Sequence, residues 1–111
     1  MDDFIFQQLS PLDHRYHASN PELYRLMSSY LSEAAFLRCQ LEVEVALVRT
    51  LAARGLCPAS VADEVQAAAA QVTPQEVARW EQITRHNVRA LVNALRDRVS
   101  DAAKPYIHFT A

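Results

Sequence analysis

The chain has 111 residues, half of them hydrophobic, with a single glycine, two cysteines and a formal net charge of −2. That length fits one small domain with a modest core, and the near-neutral charge excludes a general nucleic-acid or anionic-membrane binder, which needs a basic face. One glycine cannot supply hairpin turns, whereas alanine-rich stretches favour helix, and no apolar run approaches the ~20 residues of a membrane span.

Residues 1–19 read as an irregular leader. Phe4, Ile5, Phe6 and Leu9 are suited to packing on a neighbouring surface, and Ser10, Pro11 and Asp13 favour turns. A short helix starts at Asn20-Pro21-Glu22, because Asn20 can cap and proline suits the first helical position. Ser28, Ser29 and Ser32 mark where it breaks and is recapped. Over 31–54 the pattern is helical and long: Leu37, Leu41, Val45, Val48 and Leu51 (or Ala52) recur at spacings of three and four. Phe36, Val43 and Leu47 widen that stripe, as in a helix meeting more than one neighbour. Gly55 sits where a left-handed C-cap belongs, with Pro58 soon after.

A further helix is expected over 58–71. Thr73-Pro74-Gln75-Glu76 is a capping box with proline at the first position, opening a short helix that carries Val77, Trp80 and Ile83. The last helix begins near His86, with Val88, Leu91, Val92, Leu95 and Val99 as its stripe, and ends at Lys104-Pro105. The expected fold is all-α: one domain over 1–111, an array of about five helices. Cys39 and Cys57 lack metal-ligand spacing, and the acidic start Met1-Asp2-Asp3 is unlike a secretory signal. Both are expected as reduced thiols in the cytoplasm.

Three polar stretches concentrate groups that hold anions. Arg15-Tyr16 offers a guanidinium fork and a hydroxyl, although locally a surface arginine beside a packing tyrosine is the plainer reading. Thr84-Arg85-His86-Asn87 falls where a helix begins, so free backbone N–H groups and the helix dipole favour an anion there. Arg85 adds charge and His86 can move a proton near neutral pH. Ordinary capping by Thr84 or Asn87 is the competing account. His108, between Ile107 and Phe109, is locally best read as a half-buried histidine satisfied by a backbone carbonyl. The four histidines make no close ligand pair on a helix face, so no metal site is expected. Glu42 and Glu44 are two apart on a helix and point to different sides, which is no carboxylate pair.

In order, Ser10-Pro11-Leu12-Asp13 with Arg15-Tyr16, then Gln40-Leu41-Glu42-Val43-Glu44-Val45, then Thr84-Arg85-His86-Asn87-Val88, then Ile107-His108-Phe109 resemble adenylosuccinate lyase, of the fumarase/aspartase superfamily. The resemblance runs from about residue 9 to the end and points to the amino-terminal domain of that enzyme. It implies elimination of fumarate from adenylosuccinate, giving AMP, and from SAICAR, giving AICAR, in purine biosynthesis. It also implies no metal or organic cofactor, and a homotetramer whose sites draw on several subunits. Arg15 and Tyr16 would then bind the phosphate end of the nucleotide. Arg85, His86 and Asn87 would contact substrate, with His86 orienting it or assisting proton transfer, and His108 would lie near the site.

Two positions depart from the family: Asn87 stands where it usually has Asp, and His14 where it commonly has Gly. A Thr-Ser pair, a later catalytic histidine and the loop with the catalytic serine would follow Ala111, so this chain alone is expected to be an incomplete, inactive lyase. The alternative function class is a non-catalytic helical interaction or oligomerisation module whose polar stretches are only caps.

Overall fold

The computed structural model describes residues 6–111, and the expected packing of Phe4 and Ile5 lies outside them. Among the described residues the chain is all-α, with no strand: α1 (Pro11–Ser19), α2 (Pro21–Leu31), α3 (Glu33–Ala53), α4 (Ala59–Ala69), α5 (Pro74–Thr84) and α6 (Asn87–Arg96), then a 3-10 turn at Lys104–Tyr106. By internal contacts it divides into two compact units, Met1–Phe36 and Leu37–Ala111.

In the first unit the structure differs from the irregular leader expected over 1–19. Ser10 is extended and its Oγ accepts from the Leu12 N–H at 3.2 Å, which caps a helix that Pro11 is already shaped to start. Asn20 ends α1 by donating its N–H to Tyr16 O and caps α2 by accepting from the Leu23 N–H at 3.2 Å. Helix α1 buries none of its residues and packs on α2, with His17 edge-on to Tyr24 at 4.8 Å between ring centroids. Phe6 is tilted against His14 at 4.5 Å, yet it and Leu9 stay exposed. The serine cluster acts as expected: Ser28 and Ser29 bond back to the carbonyls of Arg25 and Leu26, and Ser32 caps α3 through the Ala35 N–H at 3.1 Å.

The core belongs to the second unit. Leu37, Leu41, Val48 and Leu51 of α3, Val61, Ala62 and Val65 of α4, and Leu91, Val92 and Leu95 of α6 form one buried cluster, closed by Ala103 and Ile107. Helices α4 and α5 pack on α6. Each large apolar side chain so buried contributes about 1.5–3 kcal/mol. The stripe of α3 differs from the expected one at a single place: Glu44 is buried and Val45 only half-buried. Phe36 and Val43, which widen the apolar surface, are exposed.

Helix α3 ends as its sequence requires. Gly55 has φ +72°, its N–H donates to Ala52 O at 3.0 Å, and the Leu56 N–H donates to Leu51 O at 2.8 Å, the paired bonds of a Schellman cap. Thr73 caps α5 by accepting from the Glu76 N–H, but the Glu76 carboxylate does not return the bond. It pairs instead with the Arg98 guanidinium, Nε to Oε2 at 3.0 Å and Nη2 to Oε1. Helix α6 stops at Arg96, short of the expected Lys104, because the chain beyond it is captured from the side. The Ser100 N–H and Oγ both donate to the Glu64 carboxylate, at 2.6 and 3.0 Å, and Arg98 and Val99 bond three residues back in tight turns. Val99 therefore belongs to a turn and not to the helical stripe. Cys39 and Cys57 are both free thiols.

Leu95→Ala should destabilise the fold by about 2–5 kcal/mol in denaturant titration, since the side chain is fully buried and its loss leaves a cavity that its neighbours fill only in part. Ile83→Ala, at a 73% exposed position, should stay within about 0.5 kcal/mol. Equal effects would place the core elsewhere. The Arg98 hydrogen bond holds the Glu76 carboxyl below its ordinary value of 4.5, outweighing the opposing desolvation. A depressed carboxyl stabilises the fold fully above pH 4.5 and loses that contribution as pH falls through its lower, folded value. The stability gap between the wild type and Glu76→Gln should therefore close on acidification below pH 4.5. A gap independent of pH would show that the ion pair carries no stability.

Candidate functional site

The polar stretch at 84–87 is the junction between α5 and α6, and its geometry is built by short-range bonds. Arg85 closes α5 in the left-handed region, φ +52°, with its N–H on Glu81 O at 2.8 Å. That conformation is uncommon for a residue with a side chain. The Thr84 hydroxyl donates to His86 O at 2.9 Å and accepts from the His86 N–H at 3.3 Å, bridging the turn. His86 is then extended and is itself the N-cap of α6: Nδ1 accepts from the Arg89 N–H at 3.1 Å. Asn87 Oδ1 takes the Val88 N–H at 2.9 Å. The competing account from sequence gave the cap to Thr84 or Asn87; the imidazole of His86 does that work instead.

The capping bond fixes the chemistry of His86. With Nδ1 accepting, the neutral ring carries its proton on Nε2, which is left as a donor on an exposed side chain. Arg85 and Asn87 are exposed beside it, and Arg85 borders a shallow groove with Ala78, Glu81 and Gln82. The junction thus presents a guanidinium, an imidazole N–H and an amide. Glu81 in the same groove balances part of that charge.

His108 is held differently, and not by a backbone carbonyl. Both oxygens of Glu44, on α3, reach it: Oε2 accepts from the His108 N–H at 3.0 Å and Oε1 lies 2.5 Å from Nδ1. Glu44 is 5% exposed and is the one buried charged side chain among the described residues. His108 has φ +59° and Thr110 φ +61°, so this short segment holds two left-handed residues. No hydrogen bond or ion pair among the described residues joins His108 to Arg85, His86 or Asn87. Sequence reasoning missed Glu44 by testing it only against Glu42. The signal was its register: 37, 41, 44, 48 and 51 step by four and three, so a carboxylate stands in the apolar stripe.

In the first unit Arg15 and Tyr16 lie on helix α1 and not in a loop. Arg15 is exposed. Tyr16 lines a groove with Ser10, Leu12, Asp13 and Tyr24, and the same groove takes in Ser28 and Ser32. His14, at the position before Arg15, packs its ring on Phe6, so a glycine there would remove that contact. Among the described residues no three His, Cys, Asp or Glu side chains gather as metal ligands, and no helix is long and apolar enough to cross a membrane.

No protein-family model matches the chain, and no solved structure matches it. Three archaeal proteins do. The chain is 33% identical over 101 residues to the adenylosuccinate lyase of Archaeoglobus fulgidus, and 34% identical over 103 residues to that of Methanocaldococcus jannaschii. Each of these alignments covers 91% of this chain and 21% of the relative. The adenylosuccinate lyase of Methanothermobacter thermautotrophicus is 35% identical over 77 residues, 68% of this chain and 17% of the relative. The chain thus spans about a fifth of the length of the relatives it matches, and this likeness along nearly all of its own residues fits a piece of the adenylosuccinate lyase family.

Proposed function

We propose that this chain is the amino-terminal, substrate-binding portion of an adenylosuccinate lyase. The enzyme would act in cytoplasmic purine biosynthesis, eliminating fumarate from adenylosuccinate to give AMP and from SAICAR to give AICAR. The observation that carries the reading is the likeness to archaeal adenylosuccinate lyases over 91% of the chain. The α5–α6 junction supports it, because a fixed Nε2–H on His86 beside Arg85 and Asn87 suits an anionic, hydrogen-bonding ligand. In this reading Arg15 and Tyr16 hold the phosphate end of the nucleotide. Arg85, His86 and Asn87 contact the remainder, and His86 aligns substrate or assists proton transfer. The active assembly is a homotetramer, and the chemistry needs no added cofactor.

His86 has a second task as the cap of α6, so its replacement by alanine mixes two effects: loss of a cap costs about 0.5–2 kcal/mol of stability. His86→Asn separates them, since asparagine caps well but lacks the Nε2–H. In a complete lyase carrying this segment, His86→Asn should melt near the wild type and lower kcat, because an aligning group acts in the transition state. Arg15→Ala removes a charge-assisted phosphate contact of about 1.5–3 kcal/mol and should raise KM roughly 10- to 100-fold with little change in kcat. Wild-type kinetics in both variants would defeat the lyase reading of these residues and leave His86 as a helix cap and Arg15 as a surface residue of a helical interaction module.

The 111 residues alone, a fifth of the length of the relatives, should give no AMP from adenylosuccinate. Turnover of about 1 per second, ordinary for an enzyme, would show that this segment holds a complete site.

A further inference from the structure

Two histidines of the second unit are fixed by opposite bonds. His86 Nδ1 receives a backbone N–H. His108 Nδ1 faces a carboxylate oxygen at 2.5 Å, and a carboxylate can only accept, so that nitrogen carries the proton. We infer that Glu44 is a positioning residue: it locks the neutral His108 ring in the Nδ1–H form and so presents Nε2 as a hydrogen-bond acceptor, the counterpart of the donor that His86 presents. The inference about ligand recognition rests on the lyase reading above; the inference about the ring does not.

Three features support it. Burying an ionised carboxylate is strongly unfavourable unless it is paired, and among the described residues both oxygens of Glu44 bond only to His108. The grip is two-point, on the backbone N–H and the ring of one residue, which sets the direction of the ring as well as its place. It also holds His108 at φ +59°, a backbone state that persists where surrounding bonds over-determine it. Nε2 has no partner among the described residues, and the side chain is 26% exposed, so a ligand N–H or hydroxyl can reach the ring. A carboxylate behind one imidazole nitrogen fixes the tautomer and orients the ring. In the lyase reading, where both histidines serve one substrate, a fixed acceptor and a fixed donor distinguish the two ends of an asymmetric ligand.

The test reads the ring directly. A two-bond proton–nitrogen correlation spectrum of the 15N-labelled chain, taken well above the ordinary histidine value of about 6.5, separates protonated from unprotonated ring nitrogens. His108 should show Nδ1–H and His86 Nε2–H. In Glu44→Ala the His108 ring should change to mainly Nε2–H while His86 stays as it is. Glu44→Gln keeps the volume, so it serves where the alanine variant fails to fold, and its His108 should lose exclusive Nδ1–H character. A wild-type His108 in the Nε2–H form overturns the inference, and so does full Nδ1–H character in a folded Glu44→Gln. In a complete lyase carrying this segment, the kcat losses of Glu44→Gln and His108→Gln should overlap when combined; losses that multiply independently refute action through His108. If His108 has the Nδ1–H form but Arg15 and His86 variants keep wild-type kinetics, the lyase reading fails and the role of Glu44 in fixing the ring stands.

Discussion

A carboxylate in the apolar stripe of the longest helix constrains the last residues of the chain. Glu44 stands one turn from Leu41 and one turn from Val48, both buried, so it enters the core side of α3 with them. Water is withheld from it there, and its charge must be met by protein donors. The segment after the 3-10 turn supplies them. Ile107, 4% exposed, is anchored in the core cluster, and the next residue offers its amide and its imidazole to the two oxygens. A pairing across 64 positions of sequence gives an otherwise irregular segment a defined course, including a left-handed residue that would be unfavourable without it.

The α5–α6 junction solves a different problem with similar means. Two helices meet end to end, and the orphan carbonyls of one and the orphan amides of the other need partners within a few residues. Thr84 bridges the turn with its hydroxyl, Arg85 takes the left-handed state that closes α5, and His86 turns Nδ1 onto the Arg89 amide in the first turn of α6. Structural and chemical roles coincide here. The bond that caps the helix is also the bond that decides which imidazole nitrogen carries the proton, so the exposed ring edge has a defined polarity before any ligand arrives.

Carboxylates at the periphery set where regular structure ends. The Glu76 carboxylate is taken by Arg98, and Glu64 takes both donors of Ser100. These two carboxylates, from the starts and middles of other helices, hold the turns that follow α6. That is why the apolar spacing reaching Val99 did not extend the helix. Spacing reports which side chains seek the core, while the backbone course is decided by whichever donors and acceptors are near.

Local chemistry was legible in the sequence by itself. The all-α class, the Asn20, Ser32 and Thr73 caps, the glycine cap at Gly55 and the stripe of α6 through Leu95 follow from propensities and from bonds spanning a few residues, and these are set by the chain's own order. The order of four motifs gave the family likeness in the same way. Helix α1 was missed because proline and serine mark both turns and helix starts, and only the Ser10 bond to the Leu12 N–H separates the two. The cap by His86 was missed because imidazole is an unusual capping acceptor beside a threonine and an asparagine. Tertiary structure alone decided the partner of His108. Glu44 and His108 are 64 residues apart, and no local preference links them. Their meeting follows from the packing of α3 against the core that Ile107 enters, where a desolvated charge finds its donors, among the described residues, on His108 alone.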